Sequence, residues 1–349
     1  MTSTTYPIDR IPYIDILRGF AIMLVVLGHA IQYSVKNFDD YPLFRLIYAF
    51  HMPLFMFISG FVYRHGTRNP WLFLRNKSQI LVLPFISWLL ITFIWFHTIT
   101  VPNAVEFLKG VIKSPDAGGL WFLWVLFLIY VVMAFSQFIA PRRAVMVTLC
   151  FYIVLNLLIH KIASVNVLGL GLLCWYLLFF VIGHVWALKL PRNRPSLVTS
   201  LIFTLVFIML MTIWQRGGNN VIEGYFANYP HLEVLMLVKG YNYITALSAI
   251  VALMGIFRII TEKYGKYLSK MRLLGLLTLE IYVTHIYFLS TILWFTSQYS
   301  LVLPIRVMLM FIGALIGALF LQAMIKKIPI LAFLMFGRTI SRINGARLD

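Results

Sequence analysis

Charged residues are scarce in this chain of 349 residues: they make up 11% of it, against 61% hydrophobic residues and a mean hydropathy of +0.90. A soluble domain cannot cover its surface with so little polar material, which excludes the soluble globular classes. Cysteine is scarcer still. The two present, Cys150 and Cys174, lie inside apolar runs, so neither a disulfide framework nor a Cys-x-x-Cys site is available. Carboxylates are few as well, 11 Asp and Glu against 29 Lys and Arg, for a net charge of +18 and a pI near 10.0. The basic residues are not interleaved with aromatics as in a soluble RNA or DNA module, and no nucleic-acid partner is expected.

Long apolar sequence is what the chain has in abundance. Ten stretches approach or exceed the roughly 20 residues of a transmembrane helix. They lie at about 13–33, 46–63, 79–98, 119–139, 144–160, 166–188, 197–214, 234–257, 273–295 and 302–325. The expected fold is an all-α polytopic bundle of about ten transmembrane helices, a single domain over 1–349. The first stretch carries Arg18 and His29 and lacks a small-residue cleavage site, so it is read as a retained helix rather than a signal. The tail "IPILAFLMFG" from Ile328 is too short to span and is expected along the membrane interface. The stretch 215–232 reads as an ordinary connecting loop. Clusters of lysine and arginine, among them Arg142 with Arg143 and Lys263 to Arg272, alternate between loops in a way that places both termini in the cytoplasm.

Against this background a few residues do not belong in lipid. In "YIDILRGFAIMLVVLGHAIQY", Arg18 and His29 share one helix face, about 16 Å apart along the axis. Asp15 lies near the same face and can pair with Arg18 at i, i+3. Arg18 could snorkel to the inner interface, and His29 could simply bond a neighbouring helix. Two polar groups on one face also fit a face lining a cavity. His51, in "FHMPLFMFISGF", falls at a similar depth to His29 in an antiparallel hairpin. The two imidazoles lack the rest of a coordination shell, so no metal is expected. Glu280, in "LLTLEIYVTHIYF", is a carboxylate well inside a span, which requires protonation or a cation partner. His285 follows about 140° further round the same helix. His97, His160 and His184, near span ends, are read as interfacial.

Taken in order, four segments resemble the acyltransferase-3 family of membrane acyltransferases, near its sugar O-acetylating branch. "DILRGFAIMLVVLGH" has the Arg-x10-His arrangement of the family's first helix, and "FHMPLFMFISGFVY" is similar to its second-helix signature. "GGLWFLWVLFLIY", with Trp121, is similar to its Leu-Trp-Phe-Leu segment, and "LEIYVTHIYF" resembles its late Leu-x-Ile-Tyr-x-x-His pattern. The resemblance implies acyl transfer, usually acetyl from cytosolic acetyl-CoA, to a hydroxyl of a glycan or lipid-linked sugar at a bacterial inner membrane. It implies that Arg18 and His29 are the essential pair; Asp15, His51, Glu280, His285 and Trp121 are read as supporting residues. The basic residues before the third helix, Arg64, Arg68, Arg75 and Lys77, become donor-binding candidates, although "LRNKSQ" departs from the paired-arginine motif of some relatives.

The chemistry accords with the residues. An imidazole titrating near neutrality can take the proton of a sugar hydroxyl as it attacks a thioester, or can itself carry the acyl group. A reading from another class is a secondary transporter using Arg18, His29 and Glu280 as a relay, though no inverted repeat with matched broken helices is visible.

Overall fold

The computed structural model describes residues 11–64, 69–96, 100–113, 115, 119–161, 167–189, 195–216 and 218–338. Among them the regular structure is helical. In chain order the helices are α1 (Pro12–Ser34), α2 (Pro42–Tyr48), α3 (His51–Phe61), α4 (Pro70–Phe96), α5 (Val101–Lys113), α6 (Trp121–Ile139), α7 (Ala144–Lys161) and α8 (Leu170–Lys189). There follow α9 (Leu197–Met211), α10 (Asn220–Tyr225), α11 (His231–Tyr264), α12 (Ser269–Leu276), α13 (Thr278–Thr296), α14 (Leu303–Ile325) and α15 (Pro329–Phe336).

Nine helical segments among the described residues are long and apolar enough to cross a membrane. The protein is a multi-pass, all-α membrane protein. The stretch expected at 197–214 forms the shorter apolar helix α9, of 15 residues. The stretch expected at 234–257 lies within α11, whose 34 residues rise about 51 Å. A hydrocarbon layer is only about 30 Å thick, so the charged end of α11 carries the helix beyond it. The stretch expected at 273–295 is divided, because the helix breaks between Leu276 and Thr278.

The chain forms two compact units. The first comprises Met1–Phe55 and Arg192–Ala318, the second Met56–Pro191 and Leu319–Asp349. In the first, α1 packs against α2, α11, α12 and α13. Its Leu17, Ala21, Ile22, Val26, Ala30 and Ile31 are fully buried. Glycine sets how closely α12 approaches. A Cβ at Gly19 would fall 1.9 Å from the Met271 carbonyl oxygen, and one at Gly275 would fall 1.8 Å from that of Asp15. Two backbones therefore meet directly, the small-residue contact through which membrane helices associate.

In the second unit α6 packs against α4, α7 and α8. The same device joins α3 to α8. A Cβ at Gly60 would lie 1.9 Å from the Phe180 oxygen, and one at Gly183 would lie 2.0 Å from the Phe57 oxygen. The tail expected along the interface forms the short helix α15, which docks on α4. Trp88 Nε1 donates to the Met335 carbonyl at 2.8 Å, and Ala332 and Phe336 are buried. Gly337 ends the helix at φ +64, a left-handed conformation suited to glycine, and its α-carbon abuts the Gln79 backbone.

Candidate active site

The polar residues of α1 lie on the helix that the first unit wraps. Asp15 is buried, and Arg18 and His29 are half-buried. Nδ1 of His29 lies 2.8 Å from Nε2 of His285, with the two ring planes within 15° of each other. His285 is 1% exposed, and its own Nδ1 lies 2.9 Å from the Ile281 carbonyl oxygen. Depth along the helices pointed to His51 as the neighbour of His29. The structure gives the hydrogen bond to His285, because α13 packs directly on α1.

His51 opens α3 beyond a break at Ala49 and Phe50, and its Nδ1 meets the Ile47 oxygen at 2.8 Å. It packs edge-on against Tyr48, with ring centroids 4.7 Å apart. Tyr48 in turn sits over Gly28, where a Cβ would lie 2.9 Å from its ring. Only the lack of a side chain at Gly28 lets that ring settle beside the turn carrying His29.

Asp15 makes an ion pair with Arg272 of α12, at 3.6 Å. Sequence spacing allows Arg18 to face the same carboxylate from three residues on, and reads Arg272 only as a topological charge. The α1–α12 crossing through Gly19 and Gly275 brings the two together. Glu280 is fully buried but stands in the first turn of α13 rather than mid-helix. There the unsatisfied N–H groups and dipole of a helix N-terminus favour negative charge.

The stretch read as a plain loop also contributes. Arg216 donates from Nε and an Nη to the two carboxylate oxygens of Asp39, at 2.6 and 2.9 Å. Its guanidinium lies over the rings of Phe38, Phe44 and Tyr48, 5.4 to 5.7 Å from their centroids. Arg45 donates to the carbonyl of Trp214. A bidentate pair seldom shows in a sequence, since its members are 177 positions apart.

The remaining candidates belong to the second unit. Trp121 stacks on Tyr176, with centroids 5.0 Å apart. Lys77 holds its ammonium 4.3 Å from the ring centroid of Tyr130 and 5.4 Å from that of Phe73. Arg64 and Arg75 are exposed. His184 is half-buried, edge-on to Tyr63. Arg68, His97 and the side chain of His160 lie outside the described residues. Among the described residues no group of three or more His, Cys, Asp or Glu is placed to hold a metal ion.

Comparison with known proteins bears on what such a site does. The family model for an acyltransferase domain of type 3 matches residues 11–323, nearly the whole chain. The chain belongs to the acyltransferase-3 family. The chain is similar to Nodulation protein NolL of Mesorhizobium japonicum, 32% identical over 133 residues, or 34% of each chain. It is also similar to Nodulation protein NolL of Sinorhizobium fredii, 35% identical over 124 residues, or 32% of each. The matches thus cover about a third of the length of these relatives. No solved structure matches the chain.

Proposed function

We propose that this acyltransferase moves an acyl group, acetyl from acetyl-CoA in the first instance, onto a hydroxyl of a cell-envelope or exported glycan. The whole of 1–349 acts as one membrane domain in a bacterial inner membrane, with both termini cytoplasmic. The observation that carries the reading is the half-buried His29 of α1, the helix that also holds Arg18, hydrogen-bonded to His285 of α13 in a chain of an acyltransferase family.

Two routes use these residues. In the first, the acceptor oxygen attacks the thioester carbonyl carbon while its proton passes to His29. The oxyanion that forms is stabilised by a hydrogen-bond donor beside it, whereas Arg18, about three turns away on the same helix face, meets a more distant part of the donor. Collapse breaks the C–S bond, and the CoA thiolate recovers the proton from His29, leaving an ester and a free thiol. In the second, His29 attacks the thioester itself, the thiol departs, and the acceptor hydroxyl later takes the acyl group from the imidazole. Phosphates of CoA need cations, and the exposed Arg64 and Arg75 with Lys77 and Arg68 supply them.

The test is purified protein in detergent or nanodiscs with acetyl-CoA and a glycan acceptor. Release of CoA thiol together with an acetyl mass increment on the glycan is expected. Acetyl-CoA left intact in the presence of varied hydroxyl acceptors and acyl donors, with solute transport in proteoliposomes, would replace this reading with a carrier.

A further inference from the structure

We infer that His285 is a positioning residue: it relays the Ile281 carbonyl to His29, fixing the tautomer in which His29 works through Nε2. This rests on the proposal that His29 is the reacting base or acyl carrier.

The relay is read from donor and acceptor chemistry. A carbonyl oxygen can only accept, so Nδ1 of His285, 2.9 Å from the Ile281 oxygen, carries a hydrogen. A neutral imidazole is the form favoured by burial in an apolar bundle, which leaves the lone pair of His285 on Nε2. That nitrogen lies 2.8 Å from Nδ1 of His29, so His29 donates there. The free lone pair of His29 is consequently on Nε2. This is the orienting role a carboxylate plays beside a catalytic histidine, filled here by a neutral ring. When His29 takes a proton at Nε2, its Nδ1–H bond to His285 becomes charge-assisted and holds the ring in place. A tie that only joined two helices, 256 positions apart in sequence, would leave the tautomer of His29 without consequence for rate.

The experiment uses the full chain, labelled with 15N-histidine, in nanodiscs. Nitrogen chemical shifts distinguish protonated from unprotonated ring nitrogens, and His29→Asn and His285→Gln assign the signals among the 8 histidines. Wild type should show His29 protonated at Nδ1 and bare at Nε2. His51, with its own Nδ1 on the Ile47 oxygen, serves as a reference that stays constant. His285→Leu should move His29 toward the Nε2–H tautomer and lower kcat about 10- to 100-fold, with KM for acyl-CoA unchanged. His285→Gln, which offers an amide oxygen near the former Nε2, should keep the wild-type tautomer and recover most of the rate.

A wild-type His29 protonated at Nε2 overturns the relay, as does equal loss of kcat in the leucine and glutamine variants. If His285→Leu does not fold, the wild-type spectrum and the glutamine variant still decide. Failure of the underlying reading looks different: the tautomer is as described, yet His29→Ala retains transfer.

Discussion

The crossing of α1 with α12 and the crossing of α3 with α8 are built alike, yet they hold different things. Each joins two backbones through reciprocal glycines, Gly19 with Gly275 and Gly60 with Gly183. Around the first crossing lie Asp15, Arg272 and, one helix turn on, Arg18. Around the second lie rings: Phe57 beside Phe61 and Trp186, and Phe180 against Tyr63 and Tyr130. The packing device is generic, and chemistry depends on which side chains it brings into line. In hydrocarbon, backbone contact between small residues gains dispersion and weak hydrogen bonding whatever flanks it. A polar group at such a joint is tolerated only if the neighbouring helix supplies a partner.

This contrast can be broken most sharply at His29. His29→Ala should lower transfer by at least about 10³-fold, measured as CoA release, while membrane expression stays normal. Arg18→Lys keeps the charge and loses the planar fork, and should lower kcat by about 10-fold or more. Activity like wild type in either variant would remove that residue from the chemistry.

The glycine joints come next. Gly19→Leu and Gly60→Leu each force a side chain into a backbone carbonyl, and each should destabilise the protein by about 3 kcal/mol or more, seen as a lower thermal midpoint in detergent. If only the first variant is destabilised, the two crossings are not equivalent. Smaller effects are expected at the second unit's cations. Neutralising Arg75 and Lys77 together should raise KM for acyl-CoA several-fold, relieved at high donor concentration, with topology checked by reporter fusion. The least is expected of Asp15→Asn. Its partner Arg272 is 42% exposed, so the loss should be about 1 kcal/mol or less in thermal stability.

Much of the fold was legible from hydropathy because lipid exposure acts on each segment separately. The exceptions have local causes. Thr278 restarts a helix just past Leu276, which splits one expected span and places Glu280 in a first turn. The "IPILAFLMFG" tail reads as a short interfacial segment, and what hydropathy does not show is its partner: a left-handed Gly337 against Gln79 docks it on α4. At the site, Arg18 and His29 stood out as charge and imidazole in an apolar helix. Arg272 and Arg216 did not, because a basic residue in a loop looks the same whether it marks topology or clamps a carboxylate.

The amino-acid sequence alone determined that this chain lives in a membrane, where most of its apolar segments fall and which polar residues are out of place. Those properties are sums over neighbours along the chain. Only the tertiary structure decided that His29 meets His285 and that Asp15 meets Arg272, because these contacts depend on which helices their glycines and small side chains let approach α1.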